Sequence, residues 1–103
     1  MEIKQFASAG TTESSDILIS LAIHDQEEII IELDSNVEKQ FGQQIRQLIK
    51  ETLEKIGISS AKVTAIDKGA LDCTIEARTL AVAYRAAGTN GKLDWQVIHS
   101  WNN

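Results

Sequence analysis

Apolar and polar residues alternate along this chain in two rhythms, and the rhythms mark its elements. Between residues 17 and 23, apolar Ile17, Ile19, Leu21 and Ile23 interleave with Leu18, Ser20 and Ala22, the period-two pattern of a strand with one buried face. Residues 28–33, rich in β-branched side chains, read as a second strand. The intervening residues 24–27 are short enough for a hairpin, although they lack an Asn-Gly or Asp-Gly turn, and the two strands are expected to pair antiparallel. From about Asn36 to Ile56 the rhythm changes: Val37, Phe41, Ile45, Leu48, Ile49, Thr52, Leu53 and Ile56 recur at steps of three and four, which predicts an amphipathic helix facing the sheet. Its ends agree with its middle. Ser35 and Glu38 form a capping-box pattern, Lys50 and Lys55 sit where the helix dipole favours cations, and Gly57 supplies a left-handed stop. Gly42 costs the helix about 1 kcal/mol relative to alanine and is read as a point of close packing.

Residues 62–66 predict a third strand, broken at 67–69. The segment 71–87 can be read two ways. As a strand, Leu71, Cys73, Ile75 and Ala77 alternate; as a helix, Cys73, Ala77, Leu80, Ala81, Tyr84 and Ala87 share a face. The helix is preferred, because the Ala-rich continuation RTLAVAYRAAG is strongly helical and no break separates it from Leu71. Residues 1–16 hold Ile3 and Phe6 without a sustained period and read as a tethered arm ending in a polar loop. Beyond Gly88, the tail 89–103 is polar apart from Leu93, Trp95, Val97, Ile98 and Trp101, and its two tryptophans are candidates for docking it on the domain or on a partner. The expected architecture is α+β in the order ββαβα, an antiparallel-containing sheet packed against two helices. Its parts are an arm and serine loop over 1–16, a domain over 17–88 and a tail over 89–103.

A chain of 103 residues holds one modest core. Its formal charge of −5 repels phosphate backbones, and Arg46, Arg78 and Arg85 are too scattered to make a basic stripe, so no nucleic acid is expected as a partner. The single cysteine, Cys73, allows no intrachain disulfide and suits a reducing compartment, with the cytoplasm as the default. No apolar run approaches the roughly 20 residues that cross a bilayer, and MEIKQFASAG lacks the apolar middle of a signal peptide, so neither export nor a membrane anchor is expected.

Catalytic chemistry needs an activated group, and none is legible. Ser14 lies in T-E-S-S-D, which is not a nucleophile elbow, and neither His24 nor His99 sits in a motif that would make it a base. His24, Cys73 and His99 lack the paired spacing of a metal site. Asp67 and Asp72 flank a turn, where capping explains them at least as well as acid-base work does. Arg78 and Arg85, seven apart, would share a helix face that is either solvated or turned to a phosphate-bearing arm or an acidic partner. Phosphate-cradling glycine patterns are absent, and Glu13 and Asp16 would repel a free anion. What remains is the run AGTTESSD over residues 9–16: an exposed hydroxyl among small, flexible neighbours, which could be modified by another enzyme but which composition alone reads more readily as a mere flexible arm.

Together with VEKQFG (37–42) and DKGALDC (67–73), that run resembles the acyl carrier protein of citrate lyase, its gamma chain, over roughly residues 1–88. The resemblance implies that Ser14 carries 2'-(5''-phosphoribosyl)-3'-dephospho-CoA through a phosphodiester, which makes the chain a phosphoprotein whose pantetheine thiol is acylated. It also implies partners: an alpha subunit that exchanges acetyl for citryl, a beta subunit that splits the citryl thioester into oxaloacetate and acetyl thioester, and the transferase that attaches the group. The carrier itself catalyses neither step. Ser15 is adjacent and equally exposed, and only the register of the family block favours Ser14. LDSNVE (33–38) also looks faintly like the attachment motif of four-helix fatty-acid carriers, which would use Ser35. Against that, Asn36 replaces their leucine, and Ser35 is already engaged as a cap. The related malonate decarboxylase carrier is the nearest alternative function, and an unmodified acidic interaction module is the alternative from another class.

Overall fold

The computed structural model describes residues 1–35 and 38–88. Four strands and two helices follow one another as β1 (Ala7–Gly10), β2 (Ile17–Ala22), β3 (Ile29–Ser35), α1 (Glu38–Lys55), β4 (Ala61–Asp67) and α2 (Asp72–Ala86). The fold is α+β, with one mixed sheet in the order β1-β2-β4-β3.

The alternation in β2 does what it predicts: Ile17, Ile19 and Leu21 are fully buried beneath the helices. Ile23 lies beyond the strand end and is exposed. On β4 the same alternation buries Ala61, Val63, Ala65 and Asp67. In α1 the stripe Ile45, Ile49, Thr52 and Leu53 is buried, with Leu48 and Ile56 packed at its margin. Gly57, at φ +84°, ends this helix as expected. Its N–H donates to the Glu54 carbonyl at 3.0 Å and that of Ile58 to the Leu53 carbonyl at 3.0 Å, the paired bonds of a left-handed helix stop.

The expected β2–β3 hairpin does not form. β2 pairs antiparallel with β4, from Ile17↔Asp67 to Ala22↔Lys62, and β3 pairs parallel with β4, from Ile29↔Ala61 to Ser35↔Asp67. The reason is the helix that follows β3 directly. A strand–helix–strand unit returns the chain alongside the strand it left, so β4 takes the place next to β3 and separates it from β2.

The arm contains a strand the pattern did not reveal. Ala7–Gly10 pairs antiparallel with β2, Ala7 opposite Leu21 and Gly10 opposite Leu18. The residues before it are tied to the end of α2, with the N–H groups of Lys4 and Gln5 donating to the Ala86 carbonyl at 2.8 and 3.1 Å. The segment after β4 is the helix preferred above; of its expected face Leu80, Tyr84 and Ala87 are buried and Ala81 packs against the core, but Cys73 and Ala77 are not part of it. Ile75, Thr79, Leu80, Val82, Ala83, Tyr84 and Ala86 face inward while Cys73 and Ala77 are exposed. The tail 89–103, Val37 and the side chain of Glu38 lie outside the described residues.

Candidate functional site

One end of the sheet gathers the loop closing β1 to β2, the last residue of β3 and the turn from β4 into α2. The registers require this, because Ile17, which opens β2, and Ser35, which closes β3, both lie opposite Asp67 at the end of β4. The three sequence blocks singled out above, far apart in the chain, therefore meet at this end, the second of them through its described residues 38–42.

The loop of residues 11–16 is exposed at its tip and fastened at its base. The Thr11 hydroxyl donates to Asp16 Oδ2 at 2.7 Å and accepts the Glu13 N–H at 3.2 Å, and the Asp16 N–H donates to the Glu13 carbonyl at 3.1 Å. Asp16 Oδ1 accepts the Ile17 N–H at 2.7 Å. Ser15 takes a left-handed conformation, φ 67°, and its N–H donates to the Lys68 carbonyl at 2.8 Å while the Lys68 N–H returns a bond to the Asp16 carbonyl at 2.8 Å. Ser14, between the Glu13 and Ser15 anchors, is exposed, and no hydrogen bond among the described residues engages its hydroxyl. Ser15 is exposed too, but its backbone is bonded to the β4 end.

Helix α2 braces this hairpin with the two arginines. Arg78 donates from Nε to Asp16 Oδ1 at 3.0 Å and from Nη2 to Oδ2 at 2.8 Å, a bidentate pair. Two helical turns later, Arg85 Nη1 donates to the Ser8 carbonyl on β1 at 2.7 Å. These bonds, first those from Arg78, then that from Thr11 and the Ile17 N–H, hold the Asp16 carboxyl well below the usual carboxylate range. Arg78 therefore answers the negative charge that Asp16 brings to the serine loop. Gly10 makes the hairpin possible: at φ +96° it lies so close to Ile17 that a Cβ would sit 1.8 Å from the Ile17 carbonyl oxygen.

Ser35 is placed differently. It is half-buried, and its hydroxyl donates to Asp67 Oδ2 at 2.9 Å. Asp67, 1% exposed, uses its other oxygen to accept the Ala70 N–H at 3.0 Å, which shapes the turn into α2. Its role is the structural one. Asp72 opens α2 and accepts from Gln44 Nε2 at 3.3 Å, joining the two helices. His24 belongs to the opposite end of the sheet, beyond Ala22, and His99 lies outside the described residues. Among the described residues no three His, Cys, Asp or Glu side chains converge as a metal site, and no helix is long and apolar enough to cross a membrane. The partner of Arg78 escaped the sequence reading because it lies 62 residues away. The signal available was an arginine repeated at seven residues facing a loop acid, and it names no partner by itself.

Comparison with known proteins gives the family. Residues 4–86 match the family model described as "ACP: Malonate decarboxylase delta subunit (MdcD)". The chain is 58% identical over 102 residues to the citrate lyase acyl carrier protein of Streptococcus equi subsp. zooepidemicus (strain MGCS10565), covering 99% of each chain. It is 57% identical over 102 residues, again 99% of each, to that of Streptococcus pyogenes serotype M18 (strain MGAS8232). A homoserine kinase from Cytophaga hutchinsonii shares the fold alone, with a TM-score of 0.56 and 14% identity over 85% of this chain and 36% of the kinase. A small α+β domain that offers an exposed serine loop on a braced hairpin, with such relatives, defines a class, the acyl carrier proteins that are not four-helix bundles. Within that class, the chain belongs to the citrate lyase acyl carrier protein family.

Proposed function

We propose that this chain is the acyl carrier subunit of citrate lyase and that the Ser14 hydroxyl is where its phosphoribosyl-dephospho-CoA arm is attached, through a phosphodiester. The observation that carries the reading is the contrast between serines at one end of the sheet: Ser14 exposed with an unengaged hydroxyl, Ser35 half-buried and bonded to Asp67. When attached, the arm supplies a thiol that holds acetyl or citryl as a thioester, with an electrophilic carbonyl and a more acidic adjacent carbon.

The chain's own residues do the rest. Thr11, Asp16 and Arg78 fix the base of the loop, so that the serine is presented to the transferase on a rigid support while its immediate neighbours stay accessible. Arg78 offsets the Asp16 carboxylate, which lowers the repulsion a phosphodiester would meet there. The alpha and beta subunits then act on a substrate that the carrier confines near their sites, which raises its effective concentration. Catalysis belongs to those subunits, and the compartment we assign is the cytoplasm.

The acyl group is the point on which a second reading turns. The matching family model is described by a malonate decarboxylase subunit, whereas relatives at 57–58% identity over 99% of the chain are citrate lyase carriers. We assign citrate. Loading the purified chain with the transferase in vitro tests the attachment point: wild type and Ser35→Ala gain the mass of the arm, and Ser14→Ala does not. A gain of equal size in Ser14→Ala would move the site to Ser15 or elsewhere.

A further inference from the structure

We propose that the apolar cleft between the first half of α1 and the turn from β4 into α2 is the resting berth of the arm's pantetheine end, and that it shelters a neutral acetyl group in preference to a citryl group. This rests on the attachment at Ser14 proposed above.

The cleft encloses about 510 Å³ and is lined by Phe41, Ile45, Gly69, Ala70, Leu71 and Ile75. Phe41 and Leu71 are 47% and 69% exposed, two large apolar side chains facing the same space on an otherwise acidic chain. Phe41 falls on the apolar stripe of α1 but is left uncovered, while Ile45, one turn later, is 5% exposed. Polar groups at the rim are few. Gln44, hydrogen-bonded to Asp72 at 3.3 Å, presents an amide beside the exposed Asp72 carboxylate, while Asp67, also lining the cleft, is buried with both oxygens engaged by Ser35 and Ala70. A mainly apolar wall with a few placed polar groups is the usual make-up of a small-molecule pocket. It suits a chain with a dimethyl branch, methylene runs and two amides.

Connectivity puts the arm within reach. The Ser15 N–H is bonded to the Lys68 carbonyl, so Ser14 and Gly69 are each one residue from that bond. Their Cα atoms lie within about 13 Å of each other, two Cα steps and one strand spacing. A pantetheine chain extends roughly 14 Å at the rise per bond of an extended peptide, and the nucleotide portion of the arm adds to that reach. The tether is therefore long enough to fold back to this wall. The rim sets the preference between cargoes. Acetyl is neutral and small, whereas a citryl group brings free carboxylates toward Asp72 and is repelled.

Two readouts on the full chain, loaded in vitro in a Cys73→Ser background to remove the exposed thiol beside Asp72, test this. In the first, backbone amide shifts are compared between apo, acetylated and citrylated forms. Acetyl loading shifts Gln44, Ile45 and residues 70–75 as well as the serine loop, and citryl loading shifts the loop alone. In the second, the acetyl thioester of the carrier is cleaved by hydroxylamine about fivefold more slowly than acetyl-pantetheine, as burial of about one methylene-sized group would give, and Phe41→Asp or Leu71→Asp removes the protection. Both side chains are exposed, so these variants keep the fold, which the apo spectra verify. A chain that gains the arm at Ser14 yet shows shifts confined to residues 11–16, with no protection, overturns the berth while leaving the carrier reading intact. A chain that gains no mass at Ser14 overturns both.

Discussion

Arg78 grips Asp16 through two parallel hydrogen bonds, at 3.0 and 2.8 Å, and so ties the end of the serine loop to the middle of α2. The Asp16 side chain is 14% exposed and that of Arg78 40%, so solvent screens the pair in part. Arg78→Ala is expected to cost about 1 kcal/mol, the range for charge-assisted hydrogen bonds discounted for that exposure. Urea denaturation measures it. A cycle with Asp16→Asn separates the pairwise coupling from the loss of packing by the arginine stem.

The same pair makes stability depend on acid. The folded Asp16 carboxyl titrates below its unfolded value, so its contribution is complete above the unfolded pKa and is lost as pH falls toward the folded one. The stability gap between wild type and Asp16→Asn should be constant from neutral pH to about pH 5 and shrink below about pH 4, near the ordinary aspartate value. A gap unchanged at pH 3 would show that Asp16 stabilises the loop by shape and not by charge.

Gly10→Ala should be among the most damaging single changes in the hairpin. Its φ of +96° disfavours any side chain, and the added Cβ would meet the Ile17 carbonyl oxygen at 1.8 Å. A loss of about 2 kcal/mol or more is expected, because strain and a backbone clash act together. Arm loading by the transferase should slow as well, since Gly10 sets the exit of the chain into the serine loop.

Asp67 and Ser35 should separate structure from function. Asp67→Ala removes the acceptor shared by the Ser35 hydroxyl and the Ala70 N–H and should cost about 2 kcal/mol, whereas Ser35→Ala removes the Ser35 bond to Asp67 and should cost about 1 kcal/mol. Ser35→Ala should load at the wild-type rate. Calorimetry and a loading time course on the same preparations check both statements.

The strength and weakness of the sequence pattern follow from what periodicity measures. Ile17, Ile19 and Leu21 announced a buried strand face, and Ile45, Ile49, Thr52 and Leu53 a helix stripe, because one-sided burial writes itself into local spacing. The strand Ala7–Gly10 is built of Ala, Ser and Gly, which carry too little contrast to register. Which strand β3 would join was a choice between long-range partners, decided by the helix that carries the chain over to β4. The difference at the first half of α2 has the same origin: alanines are compatible with either side, so Ile75 and Val82 joined Leu80 and Tyr84 in the core in place of Cys73 and Ala77. At the site, the exposed serine and its polar loop were legible. The clamp that Arg78 places on Asp16, and the meeting of three distant blocks at one sheet end, required the fold.

Intact mass of the chain from cells fermenting citrate, followed by fragmentation across residues 9–16, tests the central claim most directly. The expected result is a gain equal to the phosphoribosyl-dephospho-CoA arm, localised to Ser14. An unmodified chain from such cells, or the same gain on another residue, would contradict the assignment of Ser14 as the point of attachment.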